Sequence, residues 1–150
     1  MIKLRWSKGC EPKYQTRNSA AVDLHAREGC VIKAGAKAKV PTGVWIEQVL
    51  WESVPAQRIP ELQIRARSGL AYKHGITLTN GVGTVDADYP DEICVLLWNS
   101  GPEEFVIKEG DRIAQMVLNV VQRIPFIDVN DANHNGLRLG GFGSTSVSSC

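Results

Sequence analysis

Asp86, Asp88 and Tyr89 end the stretch Asn80-Gly81-Val82-Gly83-Thr84-Val85-Asp86-Ala87-Asp88-Tyr89. A carboxylate can orient water for attack, and an aromatic ring beside it offers a flat apolar wall. Glycines supply backbone freedom at the bends, while Val82, Val85 and the later Ile93 favour extended chain. The pattern predicts a hairpin in which Asp86 and Asp88, two apart, share a face. Taken alone, Asp-Ala-Asp is also the composition of a solvated turn.

Four other stretches carry groups of the same kind. Arg67-Ser68-Gly69 precedes an apolar run that looks helical. A helix start with a guanidinium and a hydroxyl suits a phosphate, or is an ordinary cap. Asp23 lies in the apolar run Ala20-Ala21-Val22-Asp23-Leu24. A buried lone charge is costly, so it is either paired, hydrated, near a cation, or turned outward on a strand. Gly110-Asp111-Arg112-Ile113-Ala114-Gln115 reads as a turn with a salt bridge, followed by a polar Gln115 that needs a partner. Gly140-Gly141-Phe142-Gly143-Ser144-Thr145 offers amides and hydroxyls to an anion and a ring to a flat base, but lacks the lysine of a Walker A loop.

The elements that must hold these groups are short and β-prone. Runs at Ile2–Arg5, Ala21–Ala26, Val31–Ile32, Ala38–Val40, Val44–Val49, Leu62–Arg65, Ile76–Leu78, Glu92–Trp98, Glu104–Ile107 and Arg112–Val121 predict an all-β sandwich or barrel. The last run also fits a helical stripe; its valines and the Gly110-Asp111 turn favour a strand. One short helix is predicted over 68–74, with Ser68 as N-cap and Gly75 as its end. Trp51–Pro60, with two prolines, predicts a loop or protruding hairpin. The glycine- and serine-rich end, Gly136–Cys150, predicts a mobile tail.

The 150 residues make one domain, and a net charge of +1 gives no reason to expect nucleic acid as a partner. No apolar run reaches membrane-spanning length, and Met1–Trp6 lacks an export signal, so a cytoplasmic, non-secreted protein is expected. Four scattered cysteines, Cys10, Cys30, Cys94 and Cys150, fit neither a zinc motif nor a disulfide framework. Cys94 reads as a small buried hydrophobe.

In order and content the five stretches resemble the motifs of the trimeric dUTPase (deoxyuridine triphosphate nucleotidohydrolase) family, here Ser19–Leu24, Arg67–Ala71, Asn80–Tyr89, Gly110–Gln115 and Gly140–Thr145. The resemblance implies a distorted jelly-roll subunit over residues 1–135 and a lid over 136–150. It implies a homotrimer whose active sites are shared between subunits. The implied reaction is dUTP + water → dUMP + pyrophosphate, by attack on the α-phosphorus, which keeps uracil out of DNA and supplies dUMP for thymidylate synthesis. Asp86 would hold the water, and Mg²⁺ would bridge the phosphates with Asp23 reaching it through water. Arg67, Ser68, Gly69 and Gln115 would grip the phosphates. Asn80, Gly83, Thr84 and Val85 would read uracil, and Tyr89 would lie under the deoxyribose. From the tail, Arg138, Phe142, Gly143 and Ser144 would bind substrate, with Phe142 stacked on the base. In a eukaryotic or viral setting the implied location extends to the nucleus or host cell.

Some positions depart from the family pattern. Pro90-Asp91 stands where Arg-Gly or a similar pair is usual, and the tail arginine is shifted to Arg138, with Leu137 in its usual place. The tail continues Thr145-Ser146-Val147, and Trp51–Pro60 is longer than the usual connection. Two alternatives remain at this point: a dCTP deaminase, for which Glu92 is the nearest glutamate, and a weakly catalytic binding module that uses Trp51–Pro60.

Overall fold

The computed structural model describes residues 1–126. The chain runs β1 (Ile2–Trp6), β2 (Val22–His25), β3 (Cys30–Ile32), β4 (Lys37–Pro41), β5 (Val44–Val49), a 3₁₀ turn (Trp51–Ser53) and β6 (Arg58–Ala66). After α1 (Ser68–His74) come β7 (Ile76–Leu78), β8 (Gly83–Val85), β9 (Cys94–Asn99), β10 (Phe105–Ile107) and β11 (Arg112–Gln122). All pairings are antiparallel: β2-β11-β6-β8 form a four-stranded sheet, β4-β9-β7 a three-stranded one, and β1-β5 and β3-β10 two-stranded ribbons. The result is a jelly-roll-like sandwich.

Alternation builds the core. On β6 the buried positions are Pro60, Leu62 and Ile64; on β9 they are Val95, Leu97 and Asn99, with Leu96 and Trp98 facing out. Leu24, Ile32, Val40, Val44, Ile76, Ile107 and Ile113 fill the space between the sheets. Asn99 is a fully buried polar group whose amide donates to the Ile32 and Glu103 carbonyls and accepts from Gly101 N–H, so nothing is left unpaired. On β11, Ile113 and Ala114 are both buried, because a register shift between Arg112 and Ala114 interrupts the alternation.

Several sequence expectations need correction. Residues 58–60 belong to β6 rather than to a loop. Pro60 is tolerated because β8 pairs only with Leu62–Ile64, leaving the end of β6 with β11 alone as a neighbour. Arg67, not Ser68, holds the N-cap position; its donor-only guanidinium cannot accept from the first-turn N–H groups and turns toward β2 and β11. Gly75 does end the helix, at φ 68°. The third change concerns chemistry. The β8 ladder stops at Val85, and Tyr89 N–H donates to Asp86 O at 3.1 Å, closing a turn. Asp86 and Asp88 therefore do not share a strand face. No described helix is long and apolar enough to cross a membrane.

Candidate active site

One half of the site is built on β2, β11 and the start of α1. Asp23 sits opposite Gln115 in the β2–β11 ladder, on the sheet face turned away from the core. It is nonetheless only 2% exposed, covered by charged side chains and by the Lys13 segment, whose carbonyl accepts Asp23 N–H. Arg112 Nη1 donates to Asp23 Oδ2 at 3.2 Å and Gln115 Nε2 to Oδ1 at 3.3 Å. Arg67 Nε lies 3.7 Å from Oδ1, and Arg67 Nη1 donates to the Arg112 carbonyl at 2.8 Å. This answers the question the sequence leaves open: the buried charge is paired, and the partner that Gln115 needs is Asp23.

The cluster holds two guanidiniums against one carboxylate, so it keeps a net positive charge. Each guanidinium has more N–H donors than these bonds use. Both are partly exposed, with side chains 25% and 45% accessible, so the spare donors face solvent. Beside them is a cavity of about 250 Å³ lined by Arg67, Arg112, Asp111 and the apolar Leu70, Phe105 and Ile107. Ser68 and Gly69 are exposed at the adjacent helix start. Such an arrangement can take a polyanion.

Arg112 is not among the residues the sequence singles out, its stretch reading only as a turn with a salt bridge. Asp111 instead closes its own turn, accepting Lys108 N–H at 2.8 Å. The unusual residue next to the cluster is His25, paired with Arg112 in the ladder. Its Nδ1 is buried with no partner among the described residues, and burial pushes its pKa below the ordinary value, opposed by Asp23 and aided by Arg112, Lys13 and Arg67. The unfolded chain then binds a proton more readily than the folded one below pH ~6.5. Stability is expected to be full above that pH and to fall as pH drops toward the lowered value. Urea midpoints at pH 7.5 and 5.5 test this, and His25→Asn should flatten the difference.

The other half is a slot of about 310 Å³ between β8 and its surroundings. Asn80, Gly83, Thr84, Val85 and Tyr89 line it, as the sequence predicts, together with Lys39, Ile64, Leu78, Ile93, Cys94 and Leu96, which sequence reasoning missed. Gly83 is needed for close approach: a Cβ there would lie 3.1 Å from Ile64 Cβ and 3.3 Å from Asn80 Nδ2. With β8 paired to β6, Gly83, Thr84 and Val85 enter the lining, and Ile64, Leu78, Ile93 and Leu96 make much of the rest aliphatic. Asp86 is exposed where the strand ends. Cys94, half-buried at the slot, has a free thiol whose pKa burial raises.

Glu92 is already committed. Its carboxylate accepts Gly43 N–H at 2.6 Å and pairs with Arg27 Nε at 3.1 Å. Nor does Glu92 line the slot where a base would sit.

The two halves do not merge within one chain. None of Asp23, Arg67, Ser68 or Gln115 lines the slot. Asp23, Gln115 and Arg65 form one row across the sheet, and β8 lies one strand beyond β6. Three strand spacings of ~4.8 Å separate the edges by about 14 Å. Arg138, Phe142, Gly143 and Ser144 lie outside the described residues.

A family model described as dUTPase matches residues 8–146. A deoxyuridine 5'-triphosphate nucleotidohydrolase of Rickettsia massiliae (strain Mtu5) is 46% identical over 147 residues, covering 97% of this chain and 94% of that one. Among solved structures, a Staphylococcus bacteriophage 80alpha dUTPase with dUPNHPP superposes with a TM-score of 0.78 at 21% identity, covering 98% and 99% of the two chains. A mutant dUTPase from phage phi11 of S. aureus, described as revealing the coordination of a structural Mg(II) ion, gives 0.70 at 19% identity, covering 89% and 99%. At those identities the structures speak for the fold alone. The sequence match, spanning nearly the whole chain and every described element of both half-sites, makes this chain a member of the dUTPase family.

Proposed function

We propose that the slot and the Asp23 cluster are the base-reading and phosphate-gripping halves of one active site. The chain hydrolyses dUTP to dUMP and pyrophosphate, the reaction of its family. The observation that carries the residue assignment is the slot itself, which Asn80, Gly83, Thr84, Val85 and Tyr89 line together, with the exposed Asp86 following Val85 just outside the lining.

Uracil presents acceptors at O2 and O4 and a donor at N3. Main-chain groups of Gly83–Val85 and the Asn80 amide complement that edge. A cytosine amino group would leave buried polar atoms unpaired, and a thymine methyl would meet the Ile64 and Ile93 floor. Tyr89 lies beneath the sugar, where a 2′-hydroxyl would collide with it. Asp86, at the end of β8, orients water in line with the α-phosphorus; positioning is the larger part of catalysis in phosphoryl transfer. Arg67, Gln115, and the amides and hydroxyl of Ser68-Gly69 grip the phosphate chain. Arg112 joins them through Asp23.

The distance between the halves supports a homotrimer with shared sites. Among the described residues the slot and the Arg67 cavity have separate linings, so a triphosphate reaching both would draw them from two subunits. The slot of one subunit would face the Asp23 cluster of another. Arg138, Phe142, Gly143 and Ser144 complete the site, on the strength of the motif they occupy.

Magnesium belongs to the same proposal. Among the described residues no three His, Cys, Asp or Glu side chains converge, and both Asp23 oxygens already accept from Arg112 and Gln115. If an ion arrives on the triphosphate, Asp23 would hold it only through water, because the described residues offer no cage of their own. When bound, it supplies charge neutralisation on the phosphate oxygens. The location proposed is the cytoplasm.

The test is pyrophosphate release from dUTP, UTP, dTTP and dCTP, with and without magnesium. Strong preference for dUTP with magnesium is expected. Ammonia release from dCTP, or no preference among the four, would overturn the reading.

A further inference from the structure

Building on that reading of the slot, we propose that Thr42 and Glu92 are positioning residues, which clamp the Asp86–Tyr89 turn to the β4–β5 connection and set the width of the slot. The turn needs such a fixture. Upstream it is held by the β8 ladder, which ends at Val85, while β9 begins only at Cys94. Between them the chain crosses the exposed Asp88, Pro90 and Asp91.

The downstream anchor lies on two consecutive residues, Glu92 and Ile93. Thr42 is fully buried, and its hydroxyl donates to the Ile93 carbonyl at 2.6 Å. Ile93 N–H donates to the Val44 carbonyl at 2.8 Å. Glu92 accepts Gly43 N–H and pairs with Arg27, whose own N–H is tied to the Pro41 carbonyl at 2.9 Å. The far side of the clamp is itself fixed, since Ser7 N–H donates to the Gly43 carbonyl at 2.8 Å.

Ile93 makes this arrangement matter for selectivity. Its side chain is 1% exposed and shares the slot lining with Tyr89 and the β8 residues Gly83, Thr84 and Val85. The main-chain atoms that fix its height are those held by Thr42 and Val44. Uracil and thymine differ by one methyl group, and discrimination of one carbon by a packed wall depends on that wall not yielding. A floor that relaxes by a fraction of a methyl radius admits the wrong base, and a turn that loosens misplaces Asp86.

The experiment compares Thr42→Val, Thr42→Ser and Glu92→Ala with wild type, measuring kcat and KM for dUTP and dTTP. Thr42→Val keeps the shape and removes the hydroxyl; Thr42→Ser keeps the hydroxyl. In Thr42→Val and Glu92→Ala the ratio of kcat/KM for dUTP over dTTP is expected to fall about tenfold, with Thr42→Ser close to wild type. A merely structural role would lower stability, or both activities together, and leave the ratio alone. An unchanged ratio in both variants therefore overturns the proposal, whatever happens to the melting temperature. If Thr42→Val does not fold, Glu92→Ala decides by the same ratio, since that side chain is partly exposed. Wild type without preference for dUTP would instead sink the reading of the slot, before any variant is compared.

Discussion

Asp86→Asn is expected to lose two to four orders of magnitude in kcat, roughly the range for removal of a positioned general base. KM for dUTP should change by less than about threefold. The asymmetry follows from where Asp86 stands. It lies past the end of β8, exposed, and forms no ion pair among the described residues. Its removal therefore breaks nothing that holds the slot together. Asparagine has the same shape, so the turn closed by Tyr89 N–H on the Asp86 carbonyl survives. What is lost is the charge that aligns water and accepts its proton, an interaction used in the transition state and not in substrate binding. Steady-state kinetics with a direct binding measurement on the same variant separate the two. Retention of more than a tenth of wild-type kcat would remove Asp86 from its role, and a large rise in KM would make it a binding residue.

How much of this was legible in the sequence depended on whether a residue's partner is near it in the chain. The helix over 68–74 and its glycine end, the strand at Val44–Val49 and the β reading of Arg112–Val121 follow from local propensity and from turn residues beside them. Asn80, Gly83, Thr84, Val85 and Tyr89 occupy one short stretch, and they do line one slot. Ile64, Lys39 and Ile93 also line it, from three different strands or connections, and no spacing links them. The same holds for Arg112. Its partner Asp23 is 89 residues away in the chain, beyond any local pattern. Glu92 is only the nearest glutamate in sequence for the deaminase alternative, and only the fold brings Gly43 and Arg27 to it. The Asp86/Asp88 face failed for another reason. Alternation is a property of a paired strand, and β8 loses its partner at Val85.

Asp23→Asn should lower kcat at least tenfold while leaving KM unchanged or lower, a combination that distinguishes an organising carboxylate from a ligand of the substrate. In the wild-type cluster one carboxylate stands between two guanidiniums, bonded to Arg112 at 3.2 Å and within 3.7 Å of Arg67. A pair of unit charges at about 4 Å interacts by roughly 4 kcal/mol at an effective dielectric of 20, before the screening that their partial exposure allows. Replacing the carboxylate by an amide of the same shape removes both attractions and leaves two cations facing one another. The site then carries one more net positive charge toward a polyanion, so the affinity for triphosphate and for pyrophosphate should hold or rise. Orientation should suffer, because Arg67 is aimed by Asp23 and the Arg112 carbonyl together, and Gln115 by Asp23 alone among the contacts described. Tighter product binding with slower chemistry would appear as a lower inhibition constant for pyrophosphate in the variant. Were Asp23 to act only through a magnesium ion on the substrate, the loss would be recovered at raised magnesium and pyrophosphate inhibition would not tighten. Titrating magnesium and pyrophosphate against Asp23→Asn thus separates a carboxylate that aims two arginines from one that anchors a metal.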